Sequence, residues 1–184
     1  MDQNNGLPNK QTQPKRKKSA LREIIESIAI AVLLAAIIRI FIFEPFYIPS
    51  GSMIPALIPN DRIIVSKLSY NFSEPERGDV IVFKYPKDPS RRFVKRLIAF
   101  GGETIEIRNS KLYINGNQIP ENYLPKDLQF NDFGPYPVPQ NSYFMMGDNR
   151  NSSDDSRFWG PLPKENVIGK AVLIYWPLSH LQRL

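Results

Sequence analysis

Residues 24 to 43, IIESIAIAVLLAAIIRIFIF, form a 20-residue run with two charges, Glu26 near one end and Arg39 near the other. As a helix rising 1.5 Å per residue, such a run is roughly 30 Å long, the thickness of a bilayer's hydrocarbon core. Both charges lie close enough to an end for long side chains to snorkel toward headgroups. Phe41, Phe43, Phe46 and Tyr47 follow and are expected at the far interface. A KRKK cluster, Lys15 to Lys18, stands just upstream, which a buried core helix would not explain. A cleaved secretory signal also begins with basic and apolar regions. The A-x-A triplet Ala29-Ile30-Ala31, however, lies early in the run rather than after it, and bulky residues fill the exit. The expectation is therefore one retained transmembrane helix over 24–43, with a disordered basic cytoplasmic tail over 1–23 and an outer-face domain over 44–184.

The charge of +6 is concentrated before the apolar run. Residues 1 to 22 hold six basic side chains against Asp2, whereas 44–184 hold 17 basic and 15 acidic ones. A nearly neutral domain gives no electrostatic footprint for nucleic acid, so no nucleic-acid partner is expected. The chain has no cysteine and one histidine, His180, four residues from the C-terminus. Disulfides, thiolate metal sites and cysteine nucleophiles are excluded, and so are multi-histidine metal sites. A Ser-His-Asp triad would depend on a tail residue. An enzyme built on this chain must transfer protons another way.

About 140 residues after the run suffice for one domain with a real core. DRIIVSKLSY, GDVIVFKYP, RFVKRLIAF, ETIEIR, KLYING, SYFMMGD and VIGKAVLIYWP are short runs rich in Val, Ile, Phe and Tyr, punctuated by Gly, Pro, Asn and Asp. Asn115-Gly116 is a hairpin turn signal, and the prolines of FGPYPVPQ mark loops or edges. With no sustained 3.6-residue period, the fold class expected is mostly β, an antiparallel domain behind a single N-terminal helix.

Three segments could carry chemistry. In Pro49-Ser50-Gly51-Ser52-Met53-Ile54-Pro55, Gly51 between two serines permits a turn that presents a hydroxyl with amides nearby, though S-G-S is also an ordinary linker tripeptide. Ser52 stands nine residues after Phe43, at most about 30 Å of extended chain, so it must work near the membrane surface. In Arg92-Phe93-Val94-Lys95-Arg96-Leu97-Ile98, alternation puts Lys95 on the face of Phe93 and Leu97, and Val94 with Arg96 on the other. A lysine among apolar neighbours is desolvated. Lowering its pKa from about 10.4 to about 8 takes roughly 3 kcal/mol, which burial can supply, and the neutral amine is a general base. Lys84 shares a face with Val80 and Val82 but precedes Pro86 at a strand end, and a snorkelling strand lysine is the ordinary fate of either. The third segment, GDNRNSSDDSRFWG at 147 to 160, fails as a calcium loop: Arg150, Ser153 and Trp159 occupy positions that need a ligand, a turn glycine and a closing glutamate. Its alternating acids, arginines and hydroxyls suit a salt-bridged buttress or a solvated polar loop.

In order and spacing behind a membrane anchor, PSGSMIPAL at 49 to 57, RGDVIVFKYP at 77 to 86, RRFVKRLIAFGGE at 91 to 103 and GDNRNSSDDSRFWG resemble the boxes of type I signal peptidases, membrane-bound Ser/Lys proteases that remove signal peptides from exported proteins. The resemblance covers roughly residues 21 to 177. It implies an antiparallel β catalytic domain, Ser52 as nucleophile and Lys95 rather than Lys84 as general base. It further implies that Ser50 joins the Ser52 amide in the oxyanion hole and that Ser153 orients the lysine amine. Asp148, Arg150, Asp155 and Arg157 match supporting polar residues; Phe46, Ile48, Met53, Leu57 and Val94 match substrate-pocket positions. The implied reaction is hydrolysis through an acyl-enzyme, with no metal or organic cofactor. The implied partners are signal peptides of exported preproteins and the lipid bilayer, at a bacterial cell membrane or a thylakoid membrane. A related Ser/Lys processing peptidase, or an inactive relative acting as a tethered binding module, are the rival readings; the intact Ser50, Ser52, Lys95 and Ser153 argue against inactivity.

Overall fold

A computed structural model describes residues 20–184, which divide into two compact units at Ile37/Ile38. The expected tail thus lies mostly outside the described residues, and its last four positions are helical instead. Helix α1 spans Ala20–Ile37. Its Ala, Leu and Ile content favours helix, and Arg22 pairs with Glu26 one turn on at 2.9 Å. None of its side chains is buried. A helix apolar on every side needs an apolar surrounding. With the π-helical residues Ile38–Ile42, the apolar helical stretch reaches 23 residues, long enough by composition to cross a membrane.

The second unit is antiparallel β. Its strands are β1 (Phe43–Tyr47), β2 (Arg62–Ser66), β3 (Val80–Tyr85), β4 (Asp88–Phe100), β5 (Thr104–Arg108), β6 (Lys111–Ile114), β7 (Asn117–Ile119), β8 (Phe133–Pro137), β9 (Ser142–Met146), β10 (Leu162–Pro163), β11 (Val167–Trp176) and β12 (Gln182–Arg183). The larger sheet runs β1-β2-β11-β3-β4-β9-β10, with β12 on β11; the smaller runs β7-β6-β5-β8. Asn115 and Gly116 both take positive φ in the β6–β7 turn, as an Asn-Gly hairpin requires. Pro45 and Pro135 sit in the edge strands β1 and β8, where a missing N–H costs no ladder bond to a second neighbour. The chain after Ser66 leaves the sheet and makes a single turn of helix, α2 (Ser69–Phe72), earlier than the apolar run to Tyr70 suggests. A second turn, α3 (Ser156–Trp159), is capped by the Asp155 side chain.

Three apolar clusters hold this unit together. One joins Ile48, Met53 and Leu57 of the β1–β2 connection to Ile63, Val82 and Val94. A second lies between β4–β9 and the smaller sheet, around Ile98, Ile105 and Phe144. A third is aromatic, with Phe83, Tyr85, Phe93 and Trp159 in ring contact. The larger sheet is therefore covered on both faces at β4, and residues 94–99 are buried without alternation. That is why Arg96, on the opposite face, is buried as well as Lys95.

Candidate active site

Strand pairing brings the chemical residues together. Lys95 lies opposite Ile81 on β3, and Arg96 opposite Met146 on β9, so the chain leaving β9 at Gly147 passes beside Lys95. The β1–β2 connection folds over the same end of β4. Its turn is closed by Ile54 N–H donating to Gly51 O at 3.2 Å and anchored by buried Met53. Gly51 does not take positive φ. What it contributes is space and a carbonyl: a Cβ would come within 2.9 Å of Ile54 Cδ1, and its oxygen accepts from Asn149 Nδ2 at 3.1 Å.

Lys95 Nζ donates to Ser52 Oγ at 2.7 Å and to the Val94 carbonyl at 3.1 Å, and lies 5.4 Å from the Phe93 ring centre. Lysine 95 is only 4% exposed. Burial pulls its pKa down to about 8, against the attraction of Asp155, Asp154 and Asp148 for the ammonium. Lys84 is exposed at the end of β3, as its position before Pro86 suggests.

The segment 147–157 buttresses this pair. Asn149 N–H donates to the Ser52 carbonyl at 3.1 Å. Gly147 leaves room for that approach, since a Cβ there would collide with the Ser52 carbonyl and Ser153 Oγ. Asp155 Oδ2 accepts from Gly147 N–H at 3.0 Å and from Arg157 Nη2 at 2.8 Å. Asp148 receives both Arg96 Nε and Nη2, at 2.8 and 2.5 Å. Arg150 forks onto Glu121, at 2.8 and 2.5 Å. A solvated loop would leave these groups to water; instead Asp148, Arg150, Asp155 and Ser153 are all buried. Among the described residues Ser153 Oγ has no hydrogen-bond partner, an unsatisfied hydroxyl beside Gly147.

A cleft of about 600 Å³ opens at Ser52 and Lys95, with Phe46, Ser50, Val94 and Asp154 among its walls. Phe46 is thus a cleft residue packed on the core, because alternation along β1 turns it inward while Phe43 and Tyr47 stay exposed. Ile48, Met53 and Leu57 are buried, at 1%, 0% and 0% exposure, and lie in the cluster behind the cleft rather than in its open wall. Ser50 is exposed, its hydroxyl 3.5 Å from Ser52 Oγ. Among the described residues the Ser52 amide is taken up by no backbone hydrogen bond. His180 is not a free tail residue: its Nδ1 lies 3.0 Å from both oxygens of buried Asp61. No group of three or more His, Cys, Asp or Glu is placed to hold a metal ion among the described residues.

Sequence reasoning missed Arg96, Asn149, Glu121 and the Asp61–His180 pair. Arg96 follows from two-sided burial, which no local pattern reveals. Glu121 pairs with a residue 29 positions on, and nothing in its own neighbourhood marks it.

The chain is similar to known signal peptidases over most of its length. The family described as "Signal peptidase, peptidase S26" matches residues 21–176. A signal peptidase I of Leptolyngbya laminosa is 45% identical over 183 residues, covering 94% of this chain and 88% of that one. A probable signal peptidase I-1 of Synechocystis sp. is 41% identical, covering 89% and 87%. The thylakoidal processing peptidase 1 of Arabidopsis thaliana is 38% identical, covering 81% of this chain and 46% of its own.

Proposed function

The chain belongs to the S26 family of signal peptidases, and from that premise we propose that it is a membrane-anchored serine endopeptidase that removes signal peptides from exported preproteins, with Ser52 as nucleophile and Lys95 as general base. The observation that carries this reading is the 2.7 Å contact between a buried lysine amine and a serine hydroxyl at the floor of an open cleft. With its pKa near 8, a substantial fraction of Lys95 is neutral at mildly alkaline pH, and the Ser52 hydroxyl then donates to the amine.

Ser52 Oγ attacks the scissile carbonyl carbon while its proton passes to Lys95 Nζ. The resulting ammonium protonates the leaving amine as the C–N bond breaks, leaving an ester on Ser52. Neutral Lys95 then takes a proton from water, whose oxygen attacks the ester, and returns it to Ser52. The developing oxyanion falls to the free Ser52 amide and the Ser50 hydroxyl, donors typically worth about 3 to 4 kcal/mol. Ser153, buried beside Gly147 and bonded neither to Lys95 nor to any other described group, is the hydroxyl that the family resemblance assigns to orienting the amine, a role that requires its Oγ to turn onto Nζ. Asp148, Arg150, Asp155 and Arg157 hold the surrounding segment. The signal peptide lies extended in the cleft, bonding through its main chain; Phe46 and Val94 shape shallow apolar pockets for small side chains, and Ile48, Met53 and Leu57 limit their depth from behind.

The apolar stretch Ala20–Ile42 anchors the enzyme in a lipid bilayer, and the Lys15 to Lys18 cluster keeps the N-terminus cytoplasmic with the catalytic domain on the outer face. Relatives in Synechocystis and in thylakoids make a thylakoid membrane the alternative to a bacterial cell membrane. Purified full-length protein in detergent is expected to cleave a preprotein after an A-x-A site, and Ser52→Ala or Lys95→Ala to abolish cleavage with folding intact. Retained activity in either variant refutes the dyad. For topology, protease added to spheroplasts should digest the domain and spare the tail.

A further inference from the structure

The smaller sheet contributes no atom to the cleft, yet the chain leaving it sends one carboxylate into the segment behind the dyad. Glu121 follows β7 by two residues. Its side chain is 8% exposed and meets Arg150, whose side chain is 0% exposed, through two charge-assisted bonds. Tyr123 O–H donates to the same carboxylate. Arg150 in turn donates from Nε to the Gly147 carbonyl at 3.2 Å, and its own carbonyl accepts from Arg157 Nη2 at 2.8 Å. Gly147 is the residue that passes beside Lys95, and Asn149 two residues on holds the Ser52 carbonyl. The Tyr123 ring also lies 4.0 Å from the guanidinium of Arg96, the partner of Asp148. A three-residue stretch therefore supports both buried arginines of the buttress.

On the reading of Ser52 and Lys95 given above, we propose that Glu121 is a positioning residue for the dyad, acting through Arg150 to hold the 147–157 segment against Ser52 and around Lys95. A buried guanidinium without its carboxylate is drawn toward water, and the segment must move with it. Two consequences follow for the chemistry. Ser52 loses its fixed distance to the amine, and displacements of about 1 Å cost up to about 100-fold in rate. Water also reaches Lys95, which contacts Ser52 and the Phe93 ring and is attracted by Asp148, Asp154 and Asp155 of the segment, and the ammonium form gains.

The experiment compares full-length native protein with Glu121→Gln, Glu121→Asp, Tyr123→Phe, Ser52→Ala and, as a control away from the cleft, Glu106→Gln on half-buried β5. Cleavage of an A-x-A peptide in detergent is followed from pH 6 to 11, with near-ultraviolet circular dichroism on the same samples. Glu121→Gln is expected to lose about 10- to 100-fold in kcat with KM within about threefold, and to need a higher pH for half-maximal activity. Glu121→Asp recovers most of the loss, and Glu106→Gln behaves as native. If Glu121→Gln does not fold, Tyr123→Phe, which removes only the hydroxyl that donates to Glu121 and accepts from Arg150 Nη2 at 3.5 Å, should move the pH midpoint in the same direction. A native pH midpoint and native kcat in the folded variants overturns the proposal, as does a loss that tracks the unfolded fraction with the midpoint unmoved. Undiminished cleavage by Ser52→Ala overturns instead the reading on which it rests.

Discussion

Replacing Lys95 by Met isolates the energetics on which the chemistry depends. Methionine keeps a flexible apolar stem of similar length and removes the ammonium. In the native fold burial holds the Lys95 pKa near 8 instead of 10.5. The folded value is the lower one, so between about pH 8 and 10.5 the unfolded chain binds more protons than the folded one, and stability contributed at this site rises with pH across that window. At 1.36 kcal/mol for each tenfold change in the protonation equilibrium, the rise amounts to roughly 3 kcal/mol. The bonds to Ser52 Oγ and the Val94 carbonyl, about 1 kcal/mol each, set a pH-independent offset between native and variant. Urea unfolding of both proteins in detergent at pH 7, 9 and 11 gives the difference directly, because other titrating groups are common to both. Native protein should gain about 3 kcal/mol on the variant between pH 7 and pH 11. A difference constant to within about 1 kcal/mol would mean that the folded protein does not suppress the lysine charge.

Further outcomes follow from the same geometry. With the neutral Lys95 amine as the proposed base, kcat/KM should climb tenfold per pH unit below about 8 and level above it; a limb centred near 10 would mean an unperturbed lysine. Lys84→Ala, at an exposed strand end, should keep native kcat/KM within about threefold, since surface changes away from a site are usually small. Gly147→Ala should destabilise by about 1 to 3 kcal/mol in thermal unfolding and depress kcat, as its Cβ displaces the Ser52 carbonyl or Ser153. Asp148→Asn leaves Arg96 buried beside a neutral amide and should cost about 3 to 5 kcal/mol in urea unfolding.

The apolar helix, the antiparallel β class and the Asn-Gly turn were legible because each is written in local pattern: an unbroken apolar run, short β-branched runs and a positive-φ dipeptide. Lys95 was legible as a candidate because its neighbours two residues away are apolar. The choice over Lys84 needed the segments read together, and exposure now separates the two. Aromatic content after an apolar run carries no facing information, so the run alone could not show that Phe46 faces the cleft; strand alternation and the family resemblance both put it there. The burial of Arg96 was not legible because alternation tells which face a side chain takes but not whether that face is covered, and β4 is covered on both faces at its far end. The expected role of Gly51 in backbone freedom gives way to one of close packing, a distinction that requires coordinates. Glu121, Asp61 and the anchoring of His180 are long-range pairings, set by topology rather than by neighbours in the chain. Charged residues that find partners 29 and 119 positions away leave no periodic trace.

The central claim is that Ser52 is acylated with the help of Lys95. Its most direct test is mass mapping of the acid-quenched enzyme after mixing with an activated ester of an A-x-A peptide. The acyl group should be found on the peptide containing Ser52 in native protein, and be absent after the same interval in Lys95→Met. Acyl label on a peptide lacking Ser52, or equal labelling of Ser52 in the Lys95→Met variant, would contradict the account.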